Sequence, residues 1–122
     1  MKIGNLNQII LYVQDMQKQV EFYRDILGLT INFPQTEDYS GEDWVSFNTG
    51  DCTFALHSGG QGRLGEDSPK FTFEVEDVAS IKSALEVQGV EAGQIVEAYP
   101  GSFVCGFSDP EANAFFIQSH PH

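Results

Sequence analysis

This sequence has few cysteines, few cations and no long apolar run. Cys52 and Cys105 are its only cysteines among 122 residues, and both stand inside strand-like runs. Two cysteines are too few for a disulfide scaffold at this length, so reduced thiols and a cytoplasmic setting are expected. The longest early apolar run, Ile9 to Val13, is far shorter than a membrane span or a signal-peptide core, so neither is expected. Six Lys and Arg stand against eighteen Asp and Glu, a net charge of −12. Affinity for phosphate backbones and anionic lipid surfaces comes from clustered cations, so nucleic acid and membrane are not expected partners. The acidity serves solubility or salt tolerance, or it attracts a cationic ligand.

Ten Phe, four Tyr and one Trp are present, enough bulk for one core in a chain of single-domain length. The chain reads as two similar halves. The first opens with the strand Ile9–Val13, then Gln14 and Asp15, and then a helical stretch ending at Leu27-Gly28-Leu29. The second opens with Phe71–Val75, then Glu76 and Asp77, and then a helical stretch ending at Gln88-Gly89-Val90. Strand, cap, helix and stop recur in order, which argues for an internal duplication.

Asp15 and Asp77 suit N-caps, because a carboxylate accepts the orphan amides of a first helical turn. Gly28 and Gly89 suit the left-handed residue after a helix end. Met16, Val20, Tyr23 and Leu27 share one helix face, as do Val78, Ile81 and Leu85; both stripes are core. Further strands are expected at Thr30–Phe33, Trp44–Asn48 and Thr53–His57, and again at Gln94–Ala98, Phe103–Phe107 and Ala114–Gln118. The order is β-α-β-β-β twice, an α+β protein. Thr49-Gly50-Asp51 reads as a hairpin turn and Ser108–Asn113 as a longer one. The Gly-rich stretch Ser58–Pro69 reads as a linker; no helix with a Lys-Ser/Thr start follows it, so it is no phosphate loop.

Three stretches carry a family resemblance: Asn7–Asp15, the Phe22-Tyr23 … Leu27-Gly28-Leu29 run, and Asp109-Pro110-Glu111-Ala112-Asn113. Together with the strand-Asp-helix order they resemble the vicinal-oxygen-chelate superfamily of glyoxalases, bleomycin-resistance proteins and extradiol dioxygenases. The resemblance runs from about residue 6 to 119. It implies one domain over 1–122, with module one at about 5–58 and module two at about 69–119. The two modules would form a curved, cup-shaped mixed sheet with helices on its outer face. Relatives commonly carry Gly where Ala112 stands, so a different backbone geometry is expected in that last turn.

Metal-dependent relatives take His, Glu or Gln ligands from the first, fourth, fifth and eighth strands. Carried over, those positions fall on Gln8, on Ala55 (or His57 two residues on), on Lys70, and on Phe116 (or Gln118 two residues on). Lys70 would repel a divalent metal, Phe116 has no donor atom, and Gln8 and Gln118 are neutral amides. No tight metal site and no cofactor are expected.

Alternation from the same positions places Gln8, Ile10, Tyr12, Ala55, His57, Thr72, Glu74, Phe116 and Gln118 on the cup face, joined by Trp44 and Ser46. Apolar walls with a few polar groups make a small-molecule pocket. No catalytic residue is assigned. Cys105 falls on the helix side beside Phe103 and Phe107, so it reads as a buried structural thiol rather than a nucleophile served by His57. The terminal His120-Pro121-His122 reads as a frayed tail.

Three functions fit these residues. One is a metal-free binding protein of the bleomycin-resistance kind that sequesters a drug or metabolite, aromatic or cationic, with Glu74 meeting the cation. The second is a metal-dependent lyase, isomerase or dioxygenase, opposed by the missing ligands. The third is an interaction subunit without a small-molecule role. A homodimer is expected from the resemblance.

Overall fold

A computed structural model of the chain describes residues 1–61, 65 and 68–121. It forms two compact units, Met1–Gly62 and Arg63–His122. The stretch read as a linker falls partly on 62–64 and 66–67, and the tail's last histidine is residue 122; these lie outside the described residues.

In the first unit β1 (Gln8–Val13) leads into α1 (Met16–Glu21), followed by β2 (Thr30–Phe33), β3 (Trp44–Thr49) and β4 (Cys52–Ser58). In the second, β5 (Phe71–Glu74) leads into α2 (Val78–Val87), then β6 (Val96–Tyr99), β7 (Ser102–Ser108) and β8 (Ala114–Ser119). Each unit carries its own four-stranded mixed sheet, ordered β1-β4-β3-β2 and β5-β8-β7-β6. The first strand pairs parallel with the last in both, and the other pairs are antiparallel. The βαβββ order read from the sequence is therefore present twice.

The caps form as the residues dictate. Asp15 accepts the Lys18 amide at 3.1 Å and Asp77 accepts the Ala79 amide at 3.1 Å. Gly28 and Gly89 close the helices at φ of 75° and 85°, a region that penalises any Cβ.

One helix departs from expectation. Regular α geometry stops at Glu21, and Phe22–Ile26 form a wider π-turn whose Leu27 amide bonds the Phe22 carbonyl five residues back at 3.0 Å. The wider turn accompanies burial of two successive aromatics, Phe22 and Tyr23, which an unbroken 3.6-residue helix would set 100° apart. β6 also starts two residues later than expected. Just ahead of it an isolated bridge sets Ala92 opposite Phe107, with the Gly93 amide on the Gly106 carbonyl at 2.9 Å.

Each core lies between a helix and one sheet face. In the first unit Leu11, Val13, Phe54, Leu56, Val45 and Phe47 meet Met16, Val20 and Tyr23, all buried. The Tyr23 ring packs edge-on against Phe54 at 4.9 Å. In the second, Phe115 stacks on Phe107 at 5.4 Å and on Phe71 at 6.5 Å. Each such side chain contributes about 1.5–3 kcal/mol of burial.

The last turn corrects an expectation. Ala112 adopts φ 64°, the left-handed conformation that glycine favours, so the turn keeps that geometry without glycine. Buried Asp109 explains how. Its carboxylate accepts the Glu111 and Asn113 amides at 2.8 and 3.0 Å and the Asn113 side chain at 2.9 and 3.1 Å. Those bonds hold the loop against the cost of about 1–2 kcal/mol for a left-handed non-glycine residue.

Candidate functional site

Side chains directly opposite one another in a sheet share a face, so the pairing registers define what each helix-free face presents. On the first sheet, Tyr12 pairs with His57 and His57 with Trp44, forming one row. The next row is Ile10, Ala55, Ser46 and Phe33, and the third is Gln8, Thr53, Asn48 and Thr30. Rows are two residues apart, about 7 Å along the strands. The face therefore grades from aromatic, through apolar, to amide and hydroxyl. It carries no charged group in these rows.

The aromatic row is a physical cluster. The His57 ring lies 4.8 Å from Tyr12 and meets Trp44 edge-on at 6.1 Å. Its Nδ1 is 2.7 Å from the Ser58 carbonyl. A carbonyl only accepts, so Nδ1 carries the proton and a neutral His57 keeps its Nε2 lone pair for a ligand donor. Tyr12 is 59% exposed and Phe33 63%, so both offer ring surface. Ser46 and Ala55 were expected beside them but are buried, and they form the floor between these side chains. The Ser46 hydroxyl accepts the Asn32 amide at 3.3 Å and faces the Phe33 carbonyl at 3.4 Å.

Phe33 was not expected on this face. Simple alternation would place it with Ile31, which pairs with core Phe47. A register shift between Ile31 and Phe33 pairs Phe33 with Ser46 instead and turns its ring to the other side.

On the second sheet, Thr72, Phe116 and Gly106 form one row, and Glu74, Gln118, Val104 and Val96 the next. A Cβ at Gly106 would come within 3.0 Å of the Phe116 ring, so glycine here lets that ring lie against the strand. The Gln118 amide donates to the Ser102 hydroxyl at 3.0 Å, which donates to the Ser119 carbonyl at 2.8 Å. Glu74 is exposed and is the one charged residue of these two rows.

A metal of the kind the fold family implies meets a poor donor set here. Gln8 lies opposite Thr53 and His57 opposite Tyr12, four residues along β1, so about 13 Å separates their backbones. One ion cannot hold both. Ala55 and Phe116 occupy the remaining strand positions without donor atoms, and Lys70 is exposed. Among the described residues no group of three or more His, Cys, Asp or Glu is placed to hold an ion. These residues do not fit a divalent metal.

Cys105 is buried on the helix side, and its thiol points at the Gly93 carbonyl at 3.4 Å. Burial pushes its pKa up, against the pull of Lys82, which keeps it a protonated, poor nucleophile. His120, read as part of a frayed tail, is tied by its Nδ1 to the Tyr99 hydroxyl at 2.7 Å.

A βαβββ unit repeated in tandem, each with a helix-free sheet face, defines the class of fold. The profile of the Glyoxalase/Bleomycin resistance protein/Dioxygenase superfamily matches residues 5–116, and the chain belongs to that superfamily. The uncharacterized protein YraH of Bacillus subtilis (strain 168) is 32% identical over 130 residues, spanning 92% of this chain and 95% of that protein. Among solved structures, the antibiotic-binding protein TnmS3 from Streptomyces sp. CB03234 matches with TM-score 0.77 at 19% identity, over 98% of both chains. Lactoylglutathione lyase from Agrobacterium tumefaciens matches with TM-score 0.75 at 19% identity, over 98% of this chain and 96% of that one. One fold thus serves a binding protein and an enzyme, and likeness at these identities establishes the fold alone. No described helix is long and apolar enough to cross a membrane.

Proposed function

We propose that this protein binds a small aromatic molecule without a metal, on the helix-free face of the first sheet. The observation that carries this reading is the graded face itself: Trp44, His57 and Tyr12 in contact at one end, Gln8 and its hydroxyl neighbours at the other. Rings stack there for about 0.5–1.5 kcal/mol beyond their burial. His57 Nε2 accepts a hydroxyl or amine proton from the ligand, and Ile10 with Phe33 closes the apolar middle. On the second sheet's own face, Thr72, Glu74, Phe116 and Gln118 offer a separate set of contacts, with Glu74 meeting any positive charge there.

In this reading the chain is one functional domain, works in the cytosol as a homodimer, and sequesters a drug or metabolite. That role is akin to the one named for the Streptomyces antibiotic-binding protein. A metal-dependent lyase, isomerase or dioxygenase is the second reading, and the separation of Gln8 from His57 weighs against it.

Equilibrium dialysis of the EDTA-treated chain against 2-naphthol, a fused ring with a hydroxyl donor, tests the proposal. Saturable binding is expected. His57→Ala should weaken it about tenfold, the loss of one ring contact and one hydrogen bond, about 1.4 kcal/mol. Affinity unchanged in both His57→Ala and Tyr12→Ala would overturn the assignment of this face.

A further inference from the structure

The two units differ at one corner, and the difference leaves a groove. In the first unit, the ten residues 34–43 between β2 and β3 cross the corner beside the start of α1. Tyr39 is buried there, its amide donating to Gln17 Oε1 at 2.6 Å. The Asp43 carboxylate and carbonyl close the edge by accepting the Ser58 hydroxyl and amide at 2.8 and 2.9 Å. The strand pairing and the spacing of the caps make Gln17, Asp43 and Ser58 equivalent to Ala79, Phe103 and Ser119 in the second unit. There β6 and β7 are joined by Pro100 and Gly101 alone, so no such segment covers the corner. What remains is a cavity of about 570 Å³ whose walls include Val78, Ala79, Ile95, Phe103 and Pro121.

This cavity is on the helix side of the sheet, opposite the face of Thr72, Glu74, Phe116 and Gln118, because Phe103 and Ser119 alternate with Val104 and Gln118. Phe103 is 40% exposed and Ile95 37%, large apolar surface left uncovered at its wall. Among the described residues, the carboxylate, ammonium and guanidinium charges around it have one sign. Glu76 and Asp77 line the cavity, and a neighbouring one shares Glu76, His120 and Pro121 and extends to Glu74. Among the described residues, neither is lined by Lys or Arg. The start of α2 does not attract an anion here, since Asp77's own carboxylate already accepts the Ala79 amide.

We propose that this groove is a second binding site, for an aromatic ammonium ion. The ring lies on Phe103 and Ile95, in the corner where the first unit seats its own Tyr39 segment, and the ammonium points to Glu76. A volume of this size accommodates a one- or two-ring amine.

The test is an NMR titration of the isotope-labelled full chain with 2-phenylethylammonium, and with 3-phenylpropionate as the anion of matching shape. Amide shifts should centre on Ala79, Phe103 and Ser119, with the anion binding at least tenfold more weakly. Glu76→Gln should weaken the amine about fivefold, and Ala79→Phe, a change at an exposed helix position, should abolish its binding by filling the groove. Three results would overturn the proposal. The first is equal affinity for amine and anion, and the second is amine shifts confined to Tyr12, Trp44 and His57. The third is sedimentation showing that a second copy of the chain fills the groove and excludes the amine.

Discussion

The two modules share an element order, a sheet order and a capping device, yet they present different surfaces. In the first, ten residues between β2 and β3 carry Tyr39 into the corner beside α1, and the open sheet face is uncharged and aromatic at one end. In the second, a two-residue connection leaves the matching corner without such a segment, and the open face carries Glu74. Positions that fill the core are nearly interchangeable between modules: Phe54 and Phe115, and Leu56 and Ile117. Positions on the other face are not, since Ala55 corresponds to Phe116 and His57 to Gln118. The two modules thus share what holds each together and differ in what each shows on its helix-free face.

That comparison breaks most severely at the shared core. Phe54→Ala and Phe115→Ala each remove a buried ring packed on two or more others, so each should cost about 3–5 kcal/mol in urea denaturation. A cost near zero for either would show that its module is not held as its twin is. The caps test the same equivalence at smaller scale. Asp15→Ala and Asp77→Ala each lose one carboxylate–amide bond of 3.1 Å and should each cost about 1 kcal/mol. Glu74→Gln sharpens the contrast between the faces: it should weaken a cationic probe of the helix-free faces severalfold and leave 2-naphthol unchanged, and equal effects would remove the charge from the account. The smallest effect belongs to Ala112→Gly, which relieves the left-handed strain but adds unfolded-chain entropy, for a net stabilisation of about 0.5 kcal/mol.

Much of this was legible in the residues because it follows from short-range rules. Period-two alternation placed Tyr12, His57, Leu11 and Phe115 on their observed faces, and the Asp–helix–Gly punctuation placed both helices. What was not legible depends on long-range pairing or on segments without a period. Phe33 reaches the helix-free side through a one-residue register shift that only the pairing with β3 reveals. Tyr39 lies in a connection with no apolar rhythm, so nothing in the sequence marks it as a buried anchor. Alternation assigns Ser46 and Ala55 a face but says nothing of what covers it, and both are buried. The Ala112 turn keeps its left-handed residue through the bonds of Asp109, four of them gathered on one side chain.

The most direct test of the central claim is a map of backbone amide shifts in the metal-stripped chain on addition of 2-naphthol. The account predicts saturable shifts at Tyr12, Trp44 and His57 with EDTA present throughout. Shifts that develop only when a divalent metal is restored, or that bypass these three residues, would contradict it.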